Sequence, residues 1–260
     1  MSLLVLTSAA GAPGVSTTAL GLTLAWPRDA VLVDADRSAP HSILAGYLSG
    51  QSTRGNGMQG LLQAHRERSS MAAALAAEWR PLPDLPRPPG QDAPGERRFV
   101  PGFTHLGSVD LFEGAWPSVV AAAREASFDV VVDAGRTGHR GLPANLVAGA
   151  DAVGLVCRTS LASLAALPLH LAPLVESGAP GRVGLVVVGP GRPYGVREVA
   201  EQFGVPVLAE VAWDAASAGE LNEGAPVGKR WARTALARSF ERAAAALSGA
   251  MHAGRLEEAS

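Results

Sequence analysis

Short apolar runs alternate along this chain with longer stretches in which apolar residues recur at helical spacing. Met1–Leu6, Asp29–Asp34, Phe128–Asp133, Asp151–Cys157, Arg182–Val188 and Val205–Val211 read as strands, and Phe99–Gly102 as a short edge strand. Helical spacing marks the stretch holding Leu20 and Leu24 up to Trp26. It returns in Pro40–Leu48, Leu61–Trp79, Trp116–Ala126, Leu161–Val175, Val196–Phe203, Ala215–Glu223 and Trp231–Leu247, whereas Gly50–Gly60 carries no pattern. From Arg80 to Arg98, prolines at 81, 83, 86, 88, 89 and 94 forbid a regular helix or a central strand. We read about seven strands, most followed by helices, as an α/β fold: a doubly wound, mostly parallel sheet flanked by helices. Residues 1–250 are expected to form one domain, with a Pro-rich insertion at about 80–98 and a tail at 251–260.

Composition narrows this only a little. The 260 residues are 47% hydrophobic and 18% charged, with mean hydropathy +0.15, which suits a globular chain with much buried surface. A net charge of −2 and no concentrated basic patch argue against nucleic acid as a partner. The single cysteine, Cys157, excludes an internal disulfide, and the histidines lack zinc-ligand spacing with it. No basic leader precedes the first apolar run, and no stretch of about 18 apolar residues occurs. A cytoplasmic address is expected.

The chemistry concentrates behind the first strand. Thr7-Ser8-Ala9-Ala10-Gly11-Ala12-Pro13-Gly14-Val15-Ser16-Thr17-Thr18 leads straight into the first helix. Strand, glycine-containing loop, hydroxyl pair and helix in that order form the layout of a phosphate-binding loop (P-loop). Its N–H groups cradle phosphates, and a Ser/Thr hydroxyl reaches Mg²⁺. The full pattern G-x-x-x-x-G-K-[ST] asks for Gly at 9 and Lys at 15, where this chain has Ala9 and Val15. Asp34, Asp36 and Asp133 close two other strands, at the sheet edge where open α/β folds bind ligands. An Asp at a strand end also caps turns, so each acid alone says little. Together with the loop, Ser16 or Thr17 and Asp133 are candidate Mg²⁺ ligands, with Asp34 and Asp36 placed to organise a water near the terminal phosphate.

On these residues the chain resembles the deviant Walker-A family of ParA and MinD positioning ATPases. The family loop K-G-G-x-G-K-[ST]-T is matched by Ala10-Gly11-Ala12-Pro13-Gly14-Val15-Ser16-Thr17. Its D-x-D is matched by Asp34-Ala35-Asp36, its Walker-B acid by Asp133, and an A-D-x-V run by Ala150–Val153. Gly204–Leu208, Trp213-Asp214 and Leu221–Pro226 resemble the family's G-x-P-V-L, P-x-D and N-x-G-x-P segments. The resemblance spans the chain except about residues 50–98. It implies that Gly11, Ala12, Pro13, Gly14, Val15, Ser16 and Thr17 contact nucleotide, ATP or ADP, together with Asp34, Gly189, Trp213 and Asp214. It further implies that Ser16 and Asp133 hold Mg²⁺ and that Asp36 is the catalytic switch residue.

The departures are as informative. Ala10 replaces the signature lysine that reaches across a nucleotide-bound dimer, and Val15 replaces the ordinary P-loop lysine. Pro13 removes one N–H from the cradle, and Gly189 replaces a base-reading Asn. Losing two ammonium groups removes on the order of several kcal/mol of transition-state stabilisation, so slow or absent hydrolysis is expected. Arg136 or Arg158 is a candidate substitute. The altered loop resembles that of TadZ and CpaE, which implies a homodimer or partner-bound factor that positions a pilus, secretion or partition machine at a cell pole. The alternative is a nucleotide-free pseudo-ATPase scaffold acting only through protein contacts. Two weaker signals read as structure. Gly189–Gly195 is one residue too long for a dinucleotide fingerprint, and the apolar stripe of 231–247 packs on the sheet more readily than on a membrane.

Overall fold

Leu3 and Val5 pack into one apolar layer, and Leu4 and Leu6 into another on the opposite side. The same alternation recurs in Val130/Val132 against Val131 and in Leu185/Val187 against Val186/Val188. Runs apolar at every position belong to strands covered on both faces. In the computed structural model, residues 1–9, 11, 14–38, 41–50, 55–86, 94–178, 181–224 and 226–258 are described. Among them are β1 (Leu3–Ser8), β2 (Ala30–Asp34), β3 (Arg80–Pro81), β4 (Arg97–Val100), β5 (Asp129–Arg136), β6 (Ala152–Arg158), β7 (Val183–Val188) and β8 (Val207–Val211). They form one sheet in the order β3-β4-β2-β5-β1-β6-β7-β8, parallel throughout except for the antiparallel β3–β4 pair.

The helices follow the strands: α1 (Val15–Ala25), α2 (Ser42–Ala45), α3 (Met58–Arg66), α4 (Met71–Glu78), α5 (Leu106–Leu111) and α6 (Trp116–Glu125). They continue as α7 (Ala144–Gly149), α8 (Leu161–Leu164), α9 (Leu167–Ser177), α10 (Val196–Phe203), α11 (Ala215–Asn222) and α12 (Ala235–Glu258). Leu61, Val119, Leu146, Leu171 and Val199 cover one face of the sheet; Leu20, Leu24, Leu221, Phe240 and Leu247 cover the other.

Within the Pro-rich stretch, residues 87–93 lie outside the described residues, and its start forms a short strand. Arg80–Pro81 folds back to pair with β4, so the expected edge strand at 99–102 begins at Arg97 and lies one place inside the edge. A proline is tolerated on that outermost strand because it donates nothing to the ladder. The helical pattern of 61–79 is two helices. The chain breaks at Arg68, with φ +52°, and restarts where the Ser70 hydroxyl accepts from Ala73 N at 3.2 Å. The pattern of 161–175 is likewise two, with Pro168 in the first turn of α9, where its missing N–H is harmless. Of the pattern at Pro40–Leu48, Pro40 lies outside the described residues and 41–48 yields the single turn of α2. The last helix is a 3₁₀ turn (Trp231–Arg233) followed by α12, which runs on past Leu247 to Glu258.

Asp129 anchors the far end of the sheet. Its buried carboxylate accepts from Ser2 N (2.8 Å) and Trp26 Nε1 (2.9 Å), and pairs with the Arg28 guanidinium at 2.8 Å. That ties the starts of β1 and β5 to the end of α1. Cys157 is buried in β6, and its burial pushes the thiol up to about 12, which leaves it an inert core residue.

Candidate functional site

The strands end together on one rim, where the segment from β1 into α1 borders a cleft of about 530 Å³. Gly14 caps α1 with φ 99°, ψ 36°, left-handed backbone that suits glycine. The first N–H groups of an α-helix have no intrahelical acceptor, and the first turn of α1 carries no acidic side chain to compete for them. Gly11, Gly14, Val15, Ser16 and Thr17 all line the cleft, whereas Ala12 and Pro13, like Ala10, lie outside the described residues.

The two hydroxyls after Val15 part company. Ser16 stands near the Asp133 carboxylate and favours its charged form. The Thr17 hydroxyl instead accepts from Asn222 Nδ2 at 3.0 Å and faces its Oδ1 at 3.2 Å, stitching α1 to α11. Asn222 has no assigned role in the sequence reading.

Behind Ser16 the acids crowd. The β2–β5 register sets Asp34 directly beside Asp133, and both are almost fully buried. Burial, with the Asp133 charge next to it, pushes the Asp34 carboxyl up to about 8. Burial raises Asp133 to about 6, against the opposing pull of the Ser16 hydroxyl and of the Gly135 N–H, which donates to it at 3.0 Å. Asp36 lines the cleft, and its Oδ1 accepts from Ser38 N at 2.8 Å. Its carboxylate occupies the place a side chain at Gly135 would need; Gly135 has φ +60° and leaves that place open. Asp34 lies behind these groups against Gly102, away from the cleft wall.

The other end of the cleft is aromatic. Trp213 is 40% exposed there, with the Arg158 guanidinium 4.4 Å and that of Arg192 5.8 Å from its ring centroid. Gly189 supports it from below, since a Cβ there would come within 3.0 Å of the Trp213 Cβ. Asp214 also borders the cleft, but its carboxylate caps α11, accepting from Ser217 N (3.1 Å) and Ser217 Oγ (2.7 Å). Ser8, at the end of β1, was quoted in the motif without a role. Its hydroxyl is buried on the cleft with no hydrogen-bond partner among the described residues.

Size and chemistry fit a phosphorylated ligand. The cleft lies within the usual range for small-molecule sites, and it joins a helix N-terminus, an unsatisfied hydroxyl and an aromatic wall. No group of three or more His, Cys, Asp or Glu able to hold a metal ion occurs among the described residues. A cation here would therefore need ligand oxygens besides Ser16 and Asp133.

No protein-family model matches the sequence, and no curated protein matches it. Solved structures do. A ParA family ATPase from Chlorobium tepidum TLS is similar at TM-score 0.72 and 15% identity, over 94% of this chain and 98% of that one. The septum site-determining protein MinD of Pyrococcus horikoshii OT3, complexed with Mg-ADP, is similar at TM-score 0.67 and 17% identity, over 94% of both chains. The MinC:MinD cell division complex of Aquifex aeolicus contains a chain similar at TM-score 0.66 and 16% identity, over 96% of both. The chain has the P-loop fold of the MinD and ParA ATPases.

Proposed function

We propose that this protein binds a nucleoside di- or triphosphate with Mg²⁺, ATP by analogy with its fold relatives, and turns it over slowly or not at all. What supports this reading is the Ser16 hydroxyl, which lines the cleft at the Gly14-capped start of α1 and acts on the buried Asp133 carboxylate behind it. Ser16 and Asp133 would hold the Mg²⁺, which would neutralise phosphate charge. The α1 N–H groups would cradle the phosphates, Asp36 would orient a water, and the Trp213 end would take the base. The same residues argue against fast chemistry, because Val15 is apolar and packs into the core where an ordinary P-loop carries its lysine.

On this reading the protein is a nucleotide-dependent positioning or assembly factor. It would work as a dimer or with a protein partner, as the MinD of the MinC:MinD complex does, and a pilus or secretion machine at a membrane or cell pole is one candidate assembly. The stripe at 231–247 is not the membrane contact in this proposal. Trp231, Leu236, Phe240, Ala243 and Leu247 are buried, and no helix among the described residues is long and apolar enough to cross a membrane.

Calorimetric titration of ATP into nucleotide-free protein, with and without Mg²⁺, tests the binding. Saturable, Mg²⁺-dependent heat is expected, and Asp133→Ala should abolish the Mg²⁺-dependent part. Absence of binding at millimolar ATP would leave the nucleotide-free scaffold as the reading.

A further inference from the structure

Arg136 ends β5, and its Cα is the register partner of Ser8 at the end of β1. The pairing sets an exposed arginine at the root of the phosphate-binding loop. Both residues line the same cleft as Gly14 and Ser16.

Neighbouring arginines on this rim are engaged. Arg37 donates to the carbonyl oxygens of Thr137 (2.6 Å) and Gly141 (2.5 Å). Arg140 pairs with Asp110 at 2.6 Å. Arg158 and Arg192 stand over Trp213, at the opposite end of the cleft. Arg136 forms no ion pair among the described residues. The Ser8 hydroxyl beside it belongs to a residue 1% exposed and has no partner among the described residues. A buried hydroxyl without a partner is unfavourable unless something meets it, and here it adjoins the end of the cleft that Asp36 lines. A polyphosphate brought next to Asp36 and Asp133 needs positive charge besides its Mg²⁺. Two lysines that supply it in the related fold are absent at positions 10 and 15.

We infer that Arg136, with the Ser8 hydroxyl beside it, takes the place of the missing lysines as donor to the terminal phosphates of the bound nucleotide, an inference that rests on the nucleotide-binding reading above. A guanidinium suits this task because its planar fork donates two parallel hydrogen bonds to one phosphate. Reaching in from β5, rather than from the loop itself, it leaves position 15 free to be apolar and to pack into the core.

The test is calorimetry with Mg²⁺ and either ATP or inorganic tripolyphosphate, on the wild-type chain and on Arg136→Ala, Arg136→Lys, Ser8→Ala and Arg140→Ala, each checked for an unchanged thermal transition without ligand. Arg136→Ala should weaken both ligands by about 10- to 100-fold, and Ser8→Ala by up to about tenfold, the range for hydrogen bonds to charged groups. Arg136→Lys should recover part of the loss, and Arg140→Ala should bind as wild type. Arg136→Ala binding with wild-type affinity would overturn the inference while leaving the nucleotide reading intact. A loss that lysine does not recover at all would overturn it too. A wild-type chain that binds neither ATP nor tripolyphosphate would overturn both.

Discussion

Asp34, Asp36 and Asp133 share a space that water barely reaches, and two of them pay for it in their protonation. Asp34 is raised to about 8, above its ordinary 3.8, so the folded chain holds a proton that the unfolded chain releases at neutral pH. Its contribution to stability is therefore fully present below about pH 4 and is lost as pH rises through about 8. Asp133, raised to about 6, adds to the same trend over the lower half of that window. Replacing Asp34 with Asn removes the larger part. In urea titrations at a series of pH values, Asp34→Asn should gain stability relative to wild type as pH climbs from 4 to 8. A difference that stays constant with pH would mean Asp34 is not held protonated. The three acids were visible in the sequence as strand-ending aspartates. Which of them lines the cleft was not, because Asp34 and Asp36 are two residues apart and only the β2–β5 register sets Asp34 beside Asp133, away from the cleft wall.

Among the elements, α1 and α12 carry the clearest mechanical coupling. Gly21 lies against the Phe240 ring so closely that a Cβ there would collide with it. The helix whose N-terminus borders the cleft is thus seated on the last helix of the chain, and α12 in turn packs on β8. Phe240 is 1% exposed, so Phe240→Ala should lower stability by about 3–5 kcal/mol, the usual range for emptying a buried aromatic site. Chemical denaturation would measure it, and a loss below about 1 kcal/mol would show that the α1–α12 contact is not part of the core. Removing residues 235–258 should unfold the chain. At this scale the sequence read well where apolar spacing was long, as for α6, α10 and α11. It missed α5 and α7, which are six residues each and too short to display a period. It also merged helices broken by a single turn: apolar spacing continues across Ala165, and the polar run 65–70 around Arg68 was read through as the solvent side of one helix.

For the whole molecule, the cleft draws its walls from segments far apart in the chain: the β1–α1 turn, the end of β5, and the β8–α11 turn. A ligand that bridges them should stabilise the native state as a unit. At about 100 times its dissociation constant, Mg²⁺ with ATP would contribute about 2.7 kcal/mol and raise Tm by roughly 5–10 °C for a chain of this size. Binding seen by calorimetry without a shift in Tm would indicate contact outside the folded cleft. The linear order of apolar runs, turns and strand-ending acids was enough to determine the layered α/β architecture and the rim of the sheet along which the cleft lies. Both follow from local rules: a run apolar at every position must be covered on both faces, and a loop joining a strand to a helix must lie at the sheet's rim. Tertiary structure alone decided that Ser16 meets Asp133 while Thr17 meets Asn222, that Trp213 is held by Arg158, and that Arg136 stands beside Ser8. Those pairings depend on strand register and helix packing between residues more than 50 positions apart, and no periodicity in the chain encodes a register.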